Sequence, residues 1–212
     1  MKQKRYGQQL LSFTGGAALL GTGTACFIKA GLGADAMSTF ALGLHGISGQ
    51  PIEVLIFIIM YTMMGVTVLL NPAKIRLSSL LYPFISNTVM HAVLSVLVIG
   101  DSIILQYALA AAGVLLMAFA IAVGSQVQEQ IGCNPYDALA FSLQIRFSCS
   151  YACIRWCIDA GYLIIGLLLG ASIGIGTLGV LLFLGPCAEK AIRLLDKYRR
   201  NRERTVHSVG IR

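Results

Sequence analysis

Apolar residues occur in long runs along this chain of 212 residues, and most charged residues lie between the runs. A bilayer core about 30 Å thick requires about 20 apolar residues in each spanning helix. Runs of this kind occur six times, at residues 10–28, 52–70, 77–98, 103–124, 151–170 and 173–195. The pattern predicts an all-α integral membrane protein with about six transmembrane helices.

Two further segments, 33–46 and 132–147, are moderately apolar but too short to span a bilayer. We expect them to form short helices that are either interfacial or re-entrant, and the sequence leaves this choice open. Irregular backbone at membrane depth is tolerated where protein or water covers it. Asn134 followed by Pro135 is typical of a helix N-terminus, and Asp35 can cap the other short helix.

The two short segments belong to an internal repeat. Residues 33–44 (GADAMSTFALGL) align without gaps on residues 132–143 (GCNPYDALAFSL), an offset of 99 residues. Each half then contains three spans and one short helix, and an odd number of spans makes the halves insert in opposite senses. The chain is therefore predicted to form an inverted 3+3 repeat, with residues 1–98 and 99–196 as the halves and 197–212 as a basic tail.

Basic residues predict the orientation, because Lys and Arg in short loops are retained on the cytoplasmic side. With both termini inside, Lys29 is the one basic residue placed outside. The predicted cytoplasmic segments hold Lys2, Lys4, Arg5, Lys74, Arg76, Arg146 and the tail from Lys190, whereas the predicted outer turn at Asp101 holds no basic residue. The net charge of +7 thus reflects topology and contact with the lipid bilayer, and nucleic acid is not an expected partner.

Composition excludes several other classes of protein. A content of 57% hydrophobic and 12% charged residues is too apolar for a soluble domain of this size. The six cysteines have spacings that suit neither a disulfide framework nor a zinc site, although Cys149, Cys153 and Cys157 form a stripe with four-residue spacing. We expect no metal and no cofactor, and no enzyme, because no nucleophile and base lie at a useful spacing.

Ionisable residues inside predicted spans are the candidates for function, because burying them in lipid is costly. Arg155 and Asp159 are four residues apart and should share one helix face, where they can pair. They could line a polar cavity that binds a charged substrate or relays a proton. The alternative is a structural pair that ties this helix to Asp137 or to the end of a short helix.

Other polar residues are candidates for the same cavity. Asn87 and His91 lie four residues apart on the third predicted span, although hydrogen bonding between helices is an alternative role for them. The N-termini of the two short helices should meet near the midplane, and their positive dipole ends would suit an anionic group. The predicted substrate-binding set is Asp35, Asn87, His91, Asn134, Asp137, Arg155 and Asp159.

Motifs in the second half carry a family resemblance. They are residues 132–137 (GCNPYD), 154–159 (IRWCID), 167–177 (LLLGASIGIGT) and 185–186 (GP). They resemble the signatures of the YczE/YyaS/YitT-like bacterial membrane proteins, over about residues 30–188. Asn134 stands where that family prefers Gly, Asp159 where it prefers Glu, and residues 76–78 (RLS) replace a Gly-x-Gly-Thr turn. The resemblance implies a protein of the bacterial plasma (inner) membrane and points to a transporter or exporter.

These features predict a transporter or exporter of an unknown small molecule that works by alternating access. The alternative is a non-transporting membrane scaffold or accessory protein that recruits another system through its basic tail. Because the chain has about six predicted spans in 212 residues, it could form a homodimer to enclose a pathway.

Overall fold

The computed structural model describes residues 2–72, 76–97, 102–128 and 130–209. These residues form helices and contain no strand, in agreement with the predicted all-α class. The helices are α1 (Lys2–Ala30), α2 (Ala36–Ser48), α3 (Ile52–Leu70), α4 (Tyr82–Val96), α5 (Ile103–Val127), α6 (Pro135–Phe147), α7 (Tyr151–Leu168) and α8 (Ile175–Val209), and a 3₁₀ helix (Leu77–Leu80) precedes α4. The end of the third predicted span at Val98 and the loop residues Lys74 and Asp101 lie outside the described residues.

Five of these helices are long and apolar enough to cross a membrane, judged by length and composition. The candidate spans are Tyr6–Ala30, Ser78–Val96, Ile103–Val127, Tyr151–Leu168 and Ile175–Asn201. The apolar part of α3, Val54–Leu70, is shorter. The chain is therefore a multi-pass membrane protein with at least five candidate spans, and the sixth predicted span remains a prediction.

Large apolar side chains cover much of the outer surface of the bundle. Leu69, Ile104 and Leu168 are among those most exposed. A soluble monomer seldom exposes extensive apolar patches. Lipid tails would cover these side chains in a bilayer, in agreement with the membrane assignment.

The two predicted short helices are present as α2 and α6, each of 13 residues. Both predicted N-caps are confirmed, because the Asp35 carboxylate accepts from the Ser38 backbone N–H at 3.5 Å and the Asn134 side chain accepts from the Tyr136 N–H at 3.3 Å. Both helices end at a residue with left-handed backbone, Gly49 and Ser148. Local sequence therefore specifies where each short helix begins and ends.

Glycines allow the long helices to approach closely. A Cβ on Gly23 of α1 would lie 2.8 Å from the carbonyl oxygen of Gly113 on α5. Helix α4 also packs on α1, where a Cβ on Gly21 would lie 2.2 Å from the carbonyl oxygen of Ser86. Helix α5 also packs on α8. Small residues at helix crossings are typical of membrane bundles, where packing replaces the hydrophobic effect.

The remaining helices form two hairpins, α2–α3 and α6–α7, that pack on each other. Helix α2 lies against α7, and α3 lies against α6. Gly43 and Gly166 make the first of these contacts close, since a Cβ on Gly43 would lie 2.8 Å from the Gly166 oxygen. Because each helix of one hairpin packs on a helix of the other, the start of α6 and the first turns of α7 lie beside α2 and α3, where the candidate site is found.

Candidate functional site

Helix α7 positions the predicted pair of Arg155 and Asp159. Arg155 Nε donates to Asp159 Oδ2 at 3.0 Å, as expected for residues four apart on one helix face. The Ser150 hydroxyl caps this helix by accepting from the Cys153 N–H. The pair therefore lies near the capped N-terminal part of α7.

Asp137 at the start of α6 binds the same guanidinium. Arg155 Nη1 donates to Asp137 Oδ1 at 3.0 Å. Arg155, Asp137 and Asp159 are only 8%, 3% and 2% exposed. Three of the predicted residues thus meet in one buried ionic network, and α6 is tied to α7 as the structural alternative expected.

Two tyrosines that the sequence analysis did not single out complete the network. Tyr151 donates its hydroxyl to Asp137 Oδ1 at 2.9 Å, and Tyr136 donates its hydroxyl to Asp159 Oδ1. The guanidinium carbon of Arg155 lies 4.0 Å from the centre of the Tyr136 ring, which is cation–π geometry. Their positions in the sequence could have identified these tyrosines, because Tyr136 adjoins Asp137 and Tyr151 precedes Arg155 by one helical turn.

The network contains more acid than base. With all groups ionised, the carboxylates of Asp137 and Asp159 face one guanidinium, so the formal charge is −1. A buried charge is costly unless it is paired and hydrogen-bonded. The tyrosine hydroxyls supply hydrogen bonds, but the excess negative charge is left for a proton, a cation or a polar cavity to stabilise.

A cavity of about 380 Å³ lies beside the network, and side chains from α1 to α7 line it. Five of the seven predicted site residues line this cavity, namely Asp35, Asn87, His91, Asn134 and Arg155. The other two, Asp137 and Asp159, bind Arg155 and do not line the cavity themselves. The predicted set is therefore brought together in one region of the fold.

Asp35 is the acidic residue that lines the cavity directly. It is half-buried, and its carboxylate accepts hydrogen bonds from the backbone N–H and the hydroxyl of Ser38. Burial raises the pKa of the Asp35 carboxyl, and the Ser38 hydrogen bond opposes this effect. Within the described residues Asp35 has no ion-pair partner. Its charge is thus balanced less completely than those of Asp137 and Asp159.

The remaining cavity wall is weakly polar and mostly apolar. Among the described residues, the half-buried Asn87 amide has no hydrogen-bond partner, and His91 is exposed at the edge of the cavity. Methionines make up a large part of the apolar wall, namely Met37, Met60, Met90 and Met117. The lining suits a molecule with an apolar body and one charged or polar group.

None of the six cysteines lines this cavity. Cys149, Cys153 and Cys157 are free thiols on the exposed side of the α6–α7 hairpin. Over the described residues, no group of three or more His, Cys, Asp or Glu side chains is placed to hold a metal ion. The expectation of no cofactor stays a prediction.

Comparison with known proteins gives a family and no function. No curated protein and no solved structure matches the chain. The match is to DUF6198, described as a family of unknown function, over residues 7–193. That description does not name the YczE/YyaS/YitT-like proteins, so the resemblance to them stays a prediction. Because the match covers most of the sequence, the chain belongs to the DUF6198 family.

Proposed function

We propose that this protein is a small-molecule transporter of a bacterial plasma membrane, with the cavity beside Arg155 as its substrate site. The observation that carries the proposal is the group of polar and ionisable side chains that line this otherwise apolar cavity inside a membrane bundle, namely Asp35, Asn87, His91, Asn134 and Arg155. Polar and ionisable groups within a membrane bundle mark substrate or ion pathways in many transporters. The resemblance to the YczE/YyaS/YitT-like proteins points the same way.

The proposed mechanism is alternating access by an inverted repeat of six spans, with α3 as the sixth. Three observations support it: α2 and α6 begin at residues 36 and 135, α3 and α7 begin at residues 52 and 151, and left-handed residues end the short helices at 49 and 148. Each pair is offset by the 99 residues of the sequence repeat. The pairing of α2 with α7 and of α3 with α6 is the exchange that a two-fold relation between halves would produce.

The same offset relates two glycines with unusual backbone conformation. Gly33 and Gly132 have φ values of +134° and +114°, which L side chains rarely adopt. A Cβ on Gly33 would lie 2.5 Å from the Thr177 hydroxyl, and a Cβ on Gly132 would lie 2.5 Å from the Ser79 hydroxyl. The residue 99 positions before Thr177 is Ser78, which adjoins Ser79 and whose hydroxyl would lie 3.3 Å from the same Cβ on Gly132. The two turns thus dock at nearly corresponding places in the opposite half, which favours two halves related by a rotation.

A membrane scaffold is the second candidate, and one observation favours it. Asp137, Arg155 and Asp159 bind one another and are almost fully buried, as expected for a structural tie between α6 and α7. A scaffold does not require that its cavity open to both sides of the membrane. Alternating access requires this, so access to the cavity distinguishes the two functions.

The test is the reactivity of a single cysteine in the cavity. Asn87→Cys, in a chain whose six native cysteines are replaced, is exposed to a membrane-impermeant thiol reagent. Reaction is measured in intact cells and in inside-out membrane vesicles. Since a transporter opens its site to each side in turn, we expect Asn87→Cys to react in both preparations.

Matched variants control for leakage and for orientation. Ala120→Cys, fully buried where α1 meets α5, should react in neither preparation. An exposed cysteine should react from one side of the membrane only. Ser102→Cys should react in intact cells, and a variant that keeps Cys149 as its single cysteine should react in inside-out vesicles. If Asn87→Cys reacts from one side only, as we expect for Ser102→Cys, the cavity opens to one side of the membrane and the scaffold function is favoured. The two exposed controls also test the proposed cytoplasmic location of both termini.

A further inference from the structure

The cavity and the network behind it hold three carboxylates and one guanidinium. Asp137 and Asp159 each bind Arg155, so the one strong base of this region is held by two acids. Asp35 lines the cavity without an ion pair of its own within the described residues. With these groups ionised the formal charge is −2, and a low-dielectric surrounding makes that charge attractive to a cation.

The ends of the short helices do not offset this charge for an anion. The N-terminus of α2 is occupied by the Asp35 carboxylate, and the N-terminus of α6 is capped by the Asn134 amide oxygen. Each cap oxygen already accepts from one backbone N–H, that of Ser38 in α2 and that of Tyr136 in α6, so fewer N–H groups remain for an anion. An anion that approached α2 would meet a carboxylate in place of free N–H groups, so the anionic ligand suggested by the helix dipoles alone is disfavoured.

The rest of the lining indicates an amphiphilic ligand. The wall contains methionines from α2, α3, α4 and α5, and these flexible thioether side chains adapt to apolar molecules of varied shape. A volume of about 380 Å³ lies toward the small end of the range for ligand pockets. A molecule with one small charged head and one apolar arm would fill it.

We propose that this cavity binds a small amphiphilic organic cation, such as a quaternary ammonium compound with one aromatic or alkyl arm, and that Asp35 is its counter-ion. The inference rests on the proposed function, because it assigns a substrate class to the same cavity. Asp35 supplies the charge, the methionine wall supplies the apolar contact, and Arg155 holds Asp137 and Asp159 behind the cavity.

The first experiment measures the melting temperature and ligand affinity of the purified full-length protein in detergent. The probes are phenyltrimethylammonium, its uncharged isostere tert-butylbenzene, and the anion benzenesulfonate. If Asp35 contributes an ionic contact, phenyltrimethylammonium should bind about tenfold or more tightly than tert-butylbenzene and raise the melting temperature. Benzenesulfonate should give no shift.

A pair of variants assigns the charge effect to Asp35. Asp35→Asn keeps a good N-cap residue for α2 and should weaken phenyltrimethylammonium binding about tenfold, with little change for tert-butylbenzene. Asp196→Asn removes the same charge from the distant end of α8, where Asp196 accepts a hydrogen bond from Gln126, and should leave both affinities unchanged. Should Asp35→Asn fail to fold, the comparison of charged and uncharged probes on the native chain still decides the ligand class.

The outcomes separate this inference from the proposed function. Tighter binding of benzenesulfonate than of phenyltrimethylammonium would overturn the cation assignment, as would equal binding of the charged and uncharged probes. Equal weakening by Asp35→Asn and Asp196→Asn would overturn the role of Asp35. Access of Asn87→Cys from both sides would survive each of these results, since it does not depend on the ligand.

Discussion

Replacing Arg155 by Met is the most informative perturbation of the buried network. The substitution keeps a long helix-forming side chain on α7 but removes the base shared by Asp137 and Asp159. Both acids are nearly fully buried, so water cannot replace the lost partner without rearrangement. We expect a large loss of stability, because two carboxyl groups are left without their cation.

The magnitude follows from what remains after the substitution. Removing one partner of a buried ion pair destabilises a protein by about 3–5 kcal/mol. Two ion pairs are lost here, but the second adds less, since the acids can take up protons and keep their hydrogen bonds to Tyr136 and Tyr151. We therefore expect Arg155→Met to lower the free energy of unfolding by about 3–5 kcal/mol.

The assay is reversible unfolding by dodecyl sulfate in mixed micelles, followed by circular dichroism. The control is Arg193→Met, which breaks the pair between Arg193 and Glu189 on α8, where the arginine side chain is 76% exposed. Because the arginine is well solvated, a pair of this kind contributes less than about 1 kcal/mol. Adding Asp137→Asn and Asp159→Asn to Arg155→Met should restore part of the stability, because neutral amides need no cation. An Arg155→Met cost no larger than that of Arg193→Met would refute the expected role of the buried pairs, as would a triple variant no more stable than the single one.

Two further predictions concern helix packing and the charge of the cavity. Gly21→Ala should lower the free energy of unfolding by about 1–3 kcal/mol, because its Cβ would meet the α4 backbone. The control is Gly15→Ala on the same helix, which has open space around its Cβ and should be neutral or stabilising in the same unfolding assay. Because burial raises the pKa of Asp35, phenyltrimethylammonium affinity should be full above that pKa and fall as the pH decreases through it. Calorimetric titration of the Asp35→Asn variant should show no such fall. The His91→Gln variant separates any contribution of the imidazole. The ionisable groups near Asp35 are Arg155 and Asp159 on α7, Tyr136 on α6 and His91 on α4.

Local patterns predicted much of this fold. The caps of α2 and α6 follow from Asp35 and Asn134, because an N-cap is a contact between residues two or three apart. The pair of Arg155 and Asp159 is equally local, since helical periodicity alone puts them on one face. Long apolar runs identified the candidate spans for the same reason, although the apolar part of α3, Val54–Leu70, is shorter than the five candidate spans.

The contacts between helices were beyond such patterns. Tyr136 and Tyr151 join the network only because α6 crosses the first turns of α7, and a tyrosine in an apolar run reads as an ordinary packing residue. The cation that we propose for the cavity differs from the anion suggested by the helix dipoles for a related reason. A dipole argument counts the N-termini of α2 and α6 but omits the side chains of Asp35 and Asn134, which already accept from a backbone N–H at each end.

The acid–base count bears on whether the network is only a structural tie. One carboxylate would suffice to pair the Arg155 guanidinium and to join α6 to α7, and the neutral pair would be less costly to bury. The chain instead places Asp137 and Asp159 on the same base, and Asp35 at the cavity beside it. A further buried acid lowers stability unless something positive occupies the neighbourhood part of the time. A cavity that admits a cation would give that excess charge a role in binding, whereas in a scaffold a proton would have to neutralise it.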